Sequence, residues 1–194
     1  MRAYDLIAEW YQSERHSQIG VAEVSGFASS LPSGARVLDI GCGNGIPITR
    51  ALLAATHRVF GIDVSREMLA RFRVNCPSAP AVRGLVQSLP FADASFDAAV
   101  AWGIIFHLTQ PEEAHAFASV SRVLRPGATL LFTAGKIDDA AGFEDTMAGV
   151  LLPYYSFSTD GYRALLAASD LTLLDVHTDA WANTYYRARK IGHS

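Results

Sequence analysis

The sequence predicts an α/β fold of three layers: a mostly parallel seven-stranded sheet with an antiparallel last strand, and helices on both of its faces. From residue 36 onward, short apolar runs alternate with helical segments, which is typical of a parallel sheet. Most of these runs are apolar throughout, as expected for strands buried on both sides. The last two runs are separated only by a short link. We expect them to pair antiparallel, because a parallel crossover needs about a dozen residues or more.

The individual elements follow from these runs in order along the chain. Seven strands are predicted, at residues 36–40, 57–63, 81–86, 96–102, 128–134, 171–179 and 182–190. A helix is predicted over residues 46–55, and Ser65 is expected to cap the next helix. Thr109 and Glu112 have the spacing of a capping box, so a third helix is expected to begin there and to end at the RPG sequence of residues 125–127.

Composition and charge argue against several classes of protein. Half of the 194 residues are apolar and 18% are charged, so the chain can bury a full core. The net charge of −3, without a long run of Lys and Arg, argues against a nucleic-acid partner. No apolar stretch approaches the ~18 residues of a membrane span, so none is predicted. No pattern in the sequence predicts an oligomeric state.

The cysteines and histidines carry no recognisable metal or disulfide pattern. Cys42 and Cys76 do not form a CxxC pair, so we expect reduced thiols and a cytoplasmic location. The six histidines form no HxH or HExxH pair, and no metal site is predicted.

A glycine-rich turn follows the first predicted strand, in the sequence VLDIGCGNG of residues 37–45. Gly41 and Gly43 allow the backbone to turn sharply and approach a ligand, and the next helix directs unpaired N–H groups to the same place. A dinucleotide site would require GxGxxG, but Ile46 stands where the third glycine would be. Asp63, at the end of the second strand, can accept both hydroxyls of a ribose. Its alternative role is a helix cap, for which Ser65 is better placed.

Four motifs together resemble one family. They are VLDIGCGNG, GIDVS (61–65), LPFADASFD (89–97) and LRPGATL (124–130), and their order and spacing are similar to those of Rossmann-like S-adenosylmethionine-dependent methyltransferases. The sequence YDLIAEWY of residues 4–11 resembles the N-terminal helix of the ubiquinone-biosynthesis-type, small-molecule branch. The resemblance implies S-adenosyl-L-methionine as cofactor and S-adenosyl-L-homocysteine as product.

The resemblance also implies roles for individual positions. The cofactor-binding residues would be Tyr11, Asp39, Gly41, Cys42, Gly43, Asp63, Val64, Met68, Val86, Gln87 and Trp102. Residues 39–43 would surround the methionine part, Asp63 would bind the ribose, and Val64 and Met68 would contact adenine. The family often has an Asp for the adenine amino group where Leu85 stands here. Either the Val86 backbone and the Gln87 amide replace it, or adenine is held mainly by packing.

The acceptor side of the predicted site is less defined. His107 is the only titratable side chain in WGIIFHL (102–108), and its ordinary pKa suits a general base. The alternative is that it packs under the helix beginning at Thr109 and bonds to backbone. Aromatic residues outside the core suggest an apolar or aromatic small-molecule acceptor, although ordinary core packing is the simpler explanation for any single one of them. They are Tyr4, Trp10, Tyr11, Phe143, Tyr154 and Tyr155.

The sequence therefore predicts a single methyltransferase domain over residues 1–194. Its parts would be an N-terminal helical lid (1–33), a cofactor-binding core (34–134), a lid or acceptor insertion (135–160) and a closing helix with a strand pair (161–194). The predicted activity is S-adenosylmethionine-dependent methyl transfer to a small molecule by in-line displacement. Two alternatives stay open: an NAD-linked oxidoreductase, and a catalytically silent protein that binds S-adenosylmethionine.

Overall fold

The computed structural model of the chain describes residues 3–192, so residues 1–2 and 193–194 of the predicted outer segments lie outside the described residues. The α-helices are α1 (Ala3–Leu6), α2 (Ala8–Glu14), α3 (Val21–Ser29), α4 (Ile48–Ala54), α5 (Arg66–Asn75), α6 (Gln110–Val123) and α7 (Thr159–Ala167). The strands are β1 (Arg36–Ile40), β2 (Arg58–Asp63), β3 (Ala81–Arg83), β4 (Phe96–Ala101), β5 (Leu124–Thr133), β6 (Asp139–Met147), β7 (Val150–Ser156), β8 (Leu171–Thr178) and β9 (Thr184–Lys190). Two short 3-10 turns span Val86–Ser88 and Ile105–His107.

Seven of these strands form one sheet in the order β3-β2-β1-β4-β5-β9-β8. Strands β1 to β5 pair parallel, whereas β9 pairs antiparallel with both β5 and β8. The predicted fold class is thereby confirmed, including the antiparallel last strand. From β1 the chain builds one half of the sheet through β2 and the other through β4. In open α/β sheets, ligands bind at such a reversal, beside the carboxyl ends of the strands.

The predicted third strand is too long. It was expected over residues 81–86, but β3 ends at Arg83 and residues 86–88 form a 3-10 turn. At this edge of the sheet β3 has only β2 as a partner, and the Gly84 amide donates the last bond to the Asp63 carbonyl at 3.0 Å. The chain then turns towards α6, where the Leu89 amide donates to Ser119 Oγ at 2.9 Å.

Two predicted helix boundaries also need correction. The helix expected from residue 46 begins at Ile48, because the Ile46 amide donates to Asn44 Oδ1 at 3.0 Å and so still belongs to the glycine turn. Helix α6 ends at Val123, and the RPG sequence lies within β5, which begins at Leu124 and not at residue 128. Leu124 pairs with Phe96 at the start of β4, and this pairing extends β5 towards its N-terminus.

Two apolar clusters cover the faces of the sheet. One packs α6 and α7 on one face and contains the fully buried rings of Phe132, Tyr162 and Tyr186. The other packs α3, α4 and α5 on the opposite face, around residues such as Phe72. Each fully buried side chain of this size contributes about 1.5–3 kcal/mol. The carboxyl ends of the strands are therefore carried by a well-packed platform.

Two segments lie over those strand ends. Helix α1 is anchored on α5 through Asp5, whose Oδ1 accepts from Ser65 Oγ at 2.5 Å and from the Glu67 amide at 3.2 Å. Strands β6 and β7 form a separate antiparallel hairpin within the predicted insertion. The hairpin contacts both α1 and the 3-10 turn at residues 105–107. Within residues 3–192, no helix is both long enough and apolar enough to cross a membrane.

Candidate cofactor and acceptor site

A cavity of about 970 Å³ opens at the carboxyl ends of β1, β2 and β4. This volume includes the space at the open mouth of the cavity. Ten of the twelve predicted site residues line it: Tyr11, Gly41, Gly43, Asp63, Val64, Met68, Val86, Gln87, Trp102 and His107. The structure thus brings together residues that lie far apart in the sequence, on the N-terminal helices, three strand ends and two turns.

The glycine turn and Asp63 form the floor of the cavity. Gly41 and Gly43 have φ angles of 69° and 52°, a conformation that other residues adopt only with strain. The Gly43 amide donates to Asp63 Oδ2 at 2.8 Å, and the Ser65 amide donates to Oδ1 at 2.8 Å. Burial raises the pKa of Asp63, and these bonds oppose that shift. Ser65 itself caps α5, since its Oγ accepts from the Met68 amide at 3.0 Å.

Asp39 and Cys42, the other two predicted residues, do not line the cavity. Asp39 Oδ2 accepts from Thr49 Oγ1 at 2.5 Å, which ties β1 to α4 behind the glycine turn. Burial raises the pKa of Asp39 to about 7, although the bond from Thr49 acts in the opposite direction. The Cys42 thiol packs against Gly61 of β2, and burial raises its pKa as well. Both side chains support the turn from behind.

His107 faces the cavity with a defined arrangement of its ring nitrogens. Nδ1 lies 2.8 Å from the Pro153 carbonyl oxygen, and because a carbonyl can only accept, Nδ1 carries the hydrogen. Nε2 lies 3.0 Å from the Tyr4 hydroxyl, which therefore donates to it. Burial lowers the pKa of His107, which favours this neutral form. His107 thus bonds to backbone, as the alternative prediction had it, and also presents a basic nitrogen at the cavity wall.

The wall around His107 is largely aromatic. The Tyr4 ring meets Tyr11 edge-on at 6.2 Å between centroids and meets His107 at 5.8 Å. Behind His107, Tyr154 stacks on Phe106 at 5.5 Å and on Phe143 at 5.2 Å. The hairpin completes this wall with two lining residues, Leu152 and Pro153. The predicted aromatic Trp10 is partly exposed and is not among the lining residues.

Arg15, at the end of α2, is a residue that the sequence analysis missed. Its guanidinium carbon lies 5.1 Å from the ring centroids of both Tyr11 and Trp102, two lining residues. Within the described part of the chain, its buried Nε has no hydrogen-bond partner. The spacing of four residues from Tyr11 places the two on one side of a helical turn, so the sequence could indicate the contact with Tyr11 but not the one with Trp102.

Comparison with known proteins agrees with this geometry. Residues 37–127 match the family described as methyltransferase domain. Residues 37–127 of the chain therefore form a methyltransferase domain. The predicted family resemblance is confirmed, and the comparisons give no support to the oxidoreductase alternative.

Three related proteins illustrate the match. The 27-O-demethylrifamycin SV methyltransferase of Amycolatopsis mediterranei is 33% identical over 155 residues, which cover 73% of this chain and 55% of that protein. A tRNA (carboxymethyluridine(34)-5-O)-methyltransferase of Arabidopsis thaliana is 32% identical over 146 residues, or 75% of this chain and 33% of that protein. The chain therefore spans about half of the first relative and a third of the second.

The third is a solved structure, the 1,6-didemethyltoxoflavin-N1-methyltransferase of Burkholderia thailandensis with 1,6-didemethyltoxoflavin and S-adenosylhomocysteine bound. It superposes with a TM-score of 0.73 at 22% identity and covers 98% of this chain and 84% of that one. At this identity the likeness establishes the fold.

Proposed function

We propose that the protein transfers a methyl group from S-adenosyl-L-methionine to a small-molecule acceptor. The observation that carries this proposal is a single cavity with two different sides. The glycine turn and Asp63 form one side, and the neutral His107 with its aromatic surroundings forms the other. A cofactor and a second, uncharged molecule can therefore meet in the same space.

The residues on the first side fit the cofactor's parts. The unpartnered Nε of Arg15 suits the α-carboxylate of the methionine part, which would form a charge-assisted bond with it. A carboxylate has about four acceptor positions, and backbone amides use two of those on Asp63, so two ribose hydroxyls can still donate to it. Val64 and Met68 offer apolar contacts for the adenine ring.

On the second side, positioning supplies most of the catalysis. The cofactor provides the methyl group on a sulfonium, which is already electrophilic. The chain's own residues hold the acceptor in line with it and exclude water, and such positioning can remove several kcal/mol of a barrier. His107 Nε2 can hold the acceptor's proton where the acceptor arrives protonated and the Tyr4 hydroxyl moves aside.

The proposed acceptor is small and apolar or aromatic. This is supported by the wall around His107, which consists of aromatic rings and the apolar hairpin residues Leu152 and Pro153. One relative's name specifies a tRNA, but the charge of this chain supports a small molecule as the acceptor. A chain with a net charge of −3 offers little attraction to a phosphate backbone.

The cytoplasmic location predicted from the sequence belongs to the same proposal. It is supported by two buried cysteines, Cys42 and Cys76, which are both free thiols. Fractionation of cells that produce the protein would test it, and recovery outside the cytoplasm would contradict it.

The proposal is tested by thermal shift with S-adenosylhomocysteine followed by a turnover assay. We expect the product to raise Tm, and Asp63→Ala to remove most of that shift because the ribose loses its acceptor. Asp160→Ala, at an exposed acid on α7, is the matched control and should leave the shift intact. No shift at saturating S-adenosylhomocysteine would sink the proposal. Binding without methyl transfer to any member of a broad acceptor panel would instead favour the catalytically silent alternative.

A further inference from the structure

The adenine end of the cavity lacks the carboxylate expected there and contains an unpartnered oxygen instead. Leu85 stands at the position of the usual Asp, is 44% exposed and cannot accept a hydrogen bond. Two residues later, Gln87 also lines the cavity, and its Oε1 is buried. Among residues 3–192 that oxygen has no hydrogen-bond partner. Buried polar atoms are nearly always satisfied, so an unsatisfied acceptor on a cavity wall points to a donor on the ligand.

The neighbouring Glu112 determines which end of the Gln87 amide faces the ligand. Gln87 Nε2 lies 3.5 Å from Glu112 Oε1, so the amino end of the amide points towards a carboxylate. Glu112 is itself fixed, because its Oε2 accepts from the amide of Thr109 at 2.9 Å and from its hydroxyl at 2.8 Å. The reversed amide would set its oxygen against the carboxylate. The capping box of α6 therefore favours the orientation in which Gln87 Oε1 points away from Glu112.

We infer that Gln87 Oε1 accepts a hydrogen bond from the exocyclic amino group of the cofactor's adenine, and that Glu112 is the positioning residue that orients it. This inference rests on the proposed function. Of the two possibilities open from the sequence, it selects the amide over packing alone. The family often uses a charged side chain, at the position of Leu85, as the hydrogen-bond acceptor for adenine. Here that acceptor is a neutral amide two positions further along, in the 3-10 turn Val86–Ser88.

The chemistry of the base gives a direct probe. Replacing adenine by hypoxanthine exchanges the amino group for a carbonyl, so a donor becomes an acceptor and two oxygens would face each other at Gln87. We therefore expect S-inosylhomocysteine to bind at least tenfold more weakly than S-adenosylhomocysteine when both are measured by isothermal titration calorimetry. Gln87→Leu should weaken S-adenosylhomocysteine binding and bring the ratio of the two Kd values close to one.

Three further variants separate this role from a structural one. Ser88→Ala changes an exposed side chain in the same turn and should preserve the wild-type ratio. Glu112→Gln should lower the ratio, since an amide there can donate to Oε1 and release the fixed orientation. Leu85→Asp in the Gln87→Leu background returns an acceptor to the same end of the cavity and should restore discrimination.

The outcomes distinguish this inference from the proposed function. If S-adenosylhomocysteine fails to bind the wild-type protein, the proposed function itself is wrong. If it binds well and S-inosylhomocysteine binds equally, only the inference is overturned and adenine is held by packing. An unchanged ratio in Gln87→Leu would overturn it too. An unchanged ratio in Glu112→Gln would remove Glu112 from the positioning role.

Discussion

The two halves of the cavity are held together by different contacts. The glycine turn and Asp63 form one half, the cofactor half, and Tyr4, His107 and Pro153 form the other, the acceptor half. In the cofactor half, backbone amides bond to a carboxylate at the carboxyl end of β2, and Asp39 supports the turn from behind. In the acceptor half, one imidazole joins α1, the turn after β4 and the hairpin by two side-chain bonds.

This difference matters for function. The cofactor half depends on the centre of the sheet, where β1 and β4 are buried on both faces, so its shape follows from the fold. The acceptor half depends on how two outer segments dock onto that sheet. Loops and added segments on a rigid scaffold are where binding specificity usually lies. The fold can thus indicate the cofactor, whereas we propose that residues 3–14 and 139–156, together with His107, determine the acceptor.

The largest expected effect comes from breaking the acceptor half alone with His107→Gln. The glutamine amide can still donate to the Pro153 carbonyl, but it offers no basic nitrogen. For an acceptor that must lose a proton, we expect kcat to fall by about 10²-fold or more, the usual contribution of a general base. S-adenosylhomocysteine affinity should be unchanged, because the cofactor half is intact.

The pH dependence of the same reaction tests which protonation state of His107 supports the rate. Only neutral His107 can accept a proton, and burial lowers its pKa below the ordinary value. The rate should therefore fall on acidification only below pH ~6.5, the ordinary histidine value, and this limb should disappear in His107→Gln. His115→Gln, at an exposed position on α6, is the control. Equal turnover in His107→Gln and wild type at every pH would show that His107 is structural.

An intermediate effect is expected from the cofactor half when Arg15 becomes Met. A hydrogen bond to a charged group contributes about 1.5–3 kcal/mol, so S-adenosylhomocysteine should bind roughly tenfold to a hundredfold more weakly by calorimetry. Arg15→Lys keeps the charge but loses the planar contact with Tyr11 and Trp102. Its affinity for S-adenosylhomocysteine should therefore lie between those of the wild type and Arg15→Met. Arg163→Met, at an exposed cation on α7, should bind normally. Normal affinity in Arg15→Met would leave its unpartnered nitrogen without a ligand role.

How far the sequence could predict the molecule depends on the same contrast. Buried parallel strands are apolar on both faces, so β1, β2 and β4 were located within a residue or two. The prediction failed at β3, where an edge strand has one partner and its end is set by a single bond to the Asp63 carbonyl. Likewise, the RPG sequence is a strong turn signal, yet pairing of Leu124 with Phe96 draws it into β5.

The candidate site shows more clearly which features the sequence alone cannot predict. The glycine turn and Asp63 are local motifs with known spacing, and the structure places both on the cavity. The position of Arg15 between Tyr11 and Trp102 depends on how α2 docks on the end of β4, which no local pattern encodes. The bond from His107 to Pro153 links residues 46 positions apart through a hairpin whose register was not predicted. Contacts of this kind follow from tertiary packing and not from spacing in the sequence.

The smallest expected effect comes from Tyr4→Phe, which removes one hydroxyl from the contact between α1 and His107. The ring and its edge-on contacts with Tyr11 and His107 remain. A neutral hydrogen bond contributes about 0.5–1.5 kcal/mol, so Tm should fall by about 1–6 °C in a chain of this size. Amide hydrogen exchange should become faster in residues 3–14, because α1 loses one of the side-chain hydrogen bonds that hold it and keeps those of Asp5. Exchange in the glycine turn should not change.

The matched control for Tyr4→Phe is Tyr11→Phe. Tyr11 lies on the same side of the cavity, and across the described residues no hydrogen bond is seen from its hydroxyl. Losing that group should therefore change Tm and exchange less than losing the hydroxyl of Tyr4. If the two variants behave alike, the bond to His107 contributes nothing to holding α1 in place. If exchange in the glycine turn rises together with that of α1, the two halves of the cavity are coupled and the contrast between them fails.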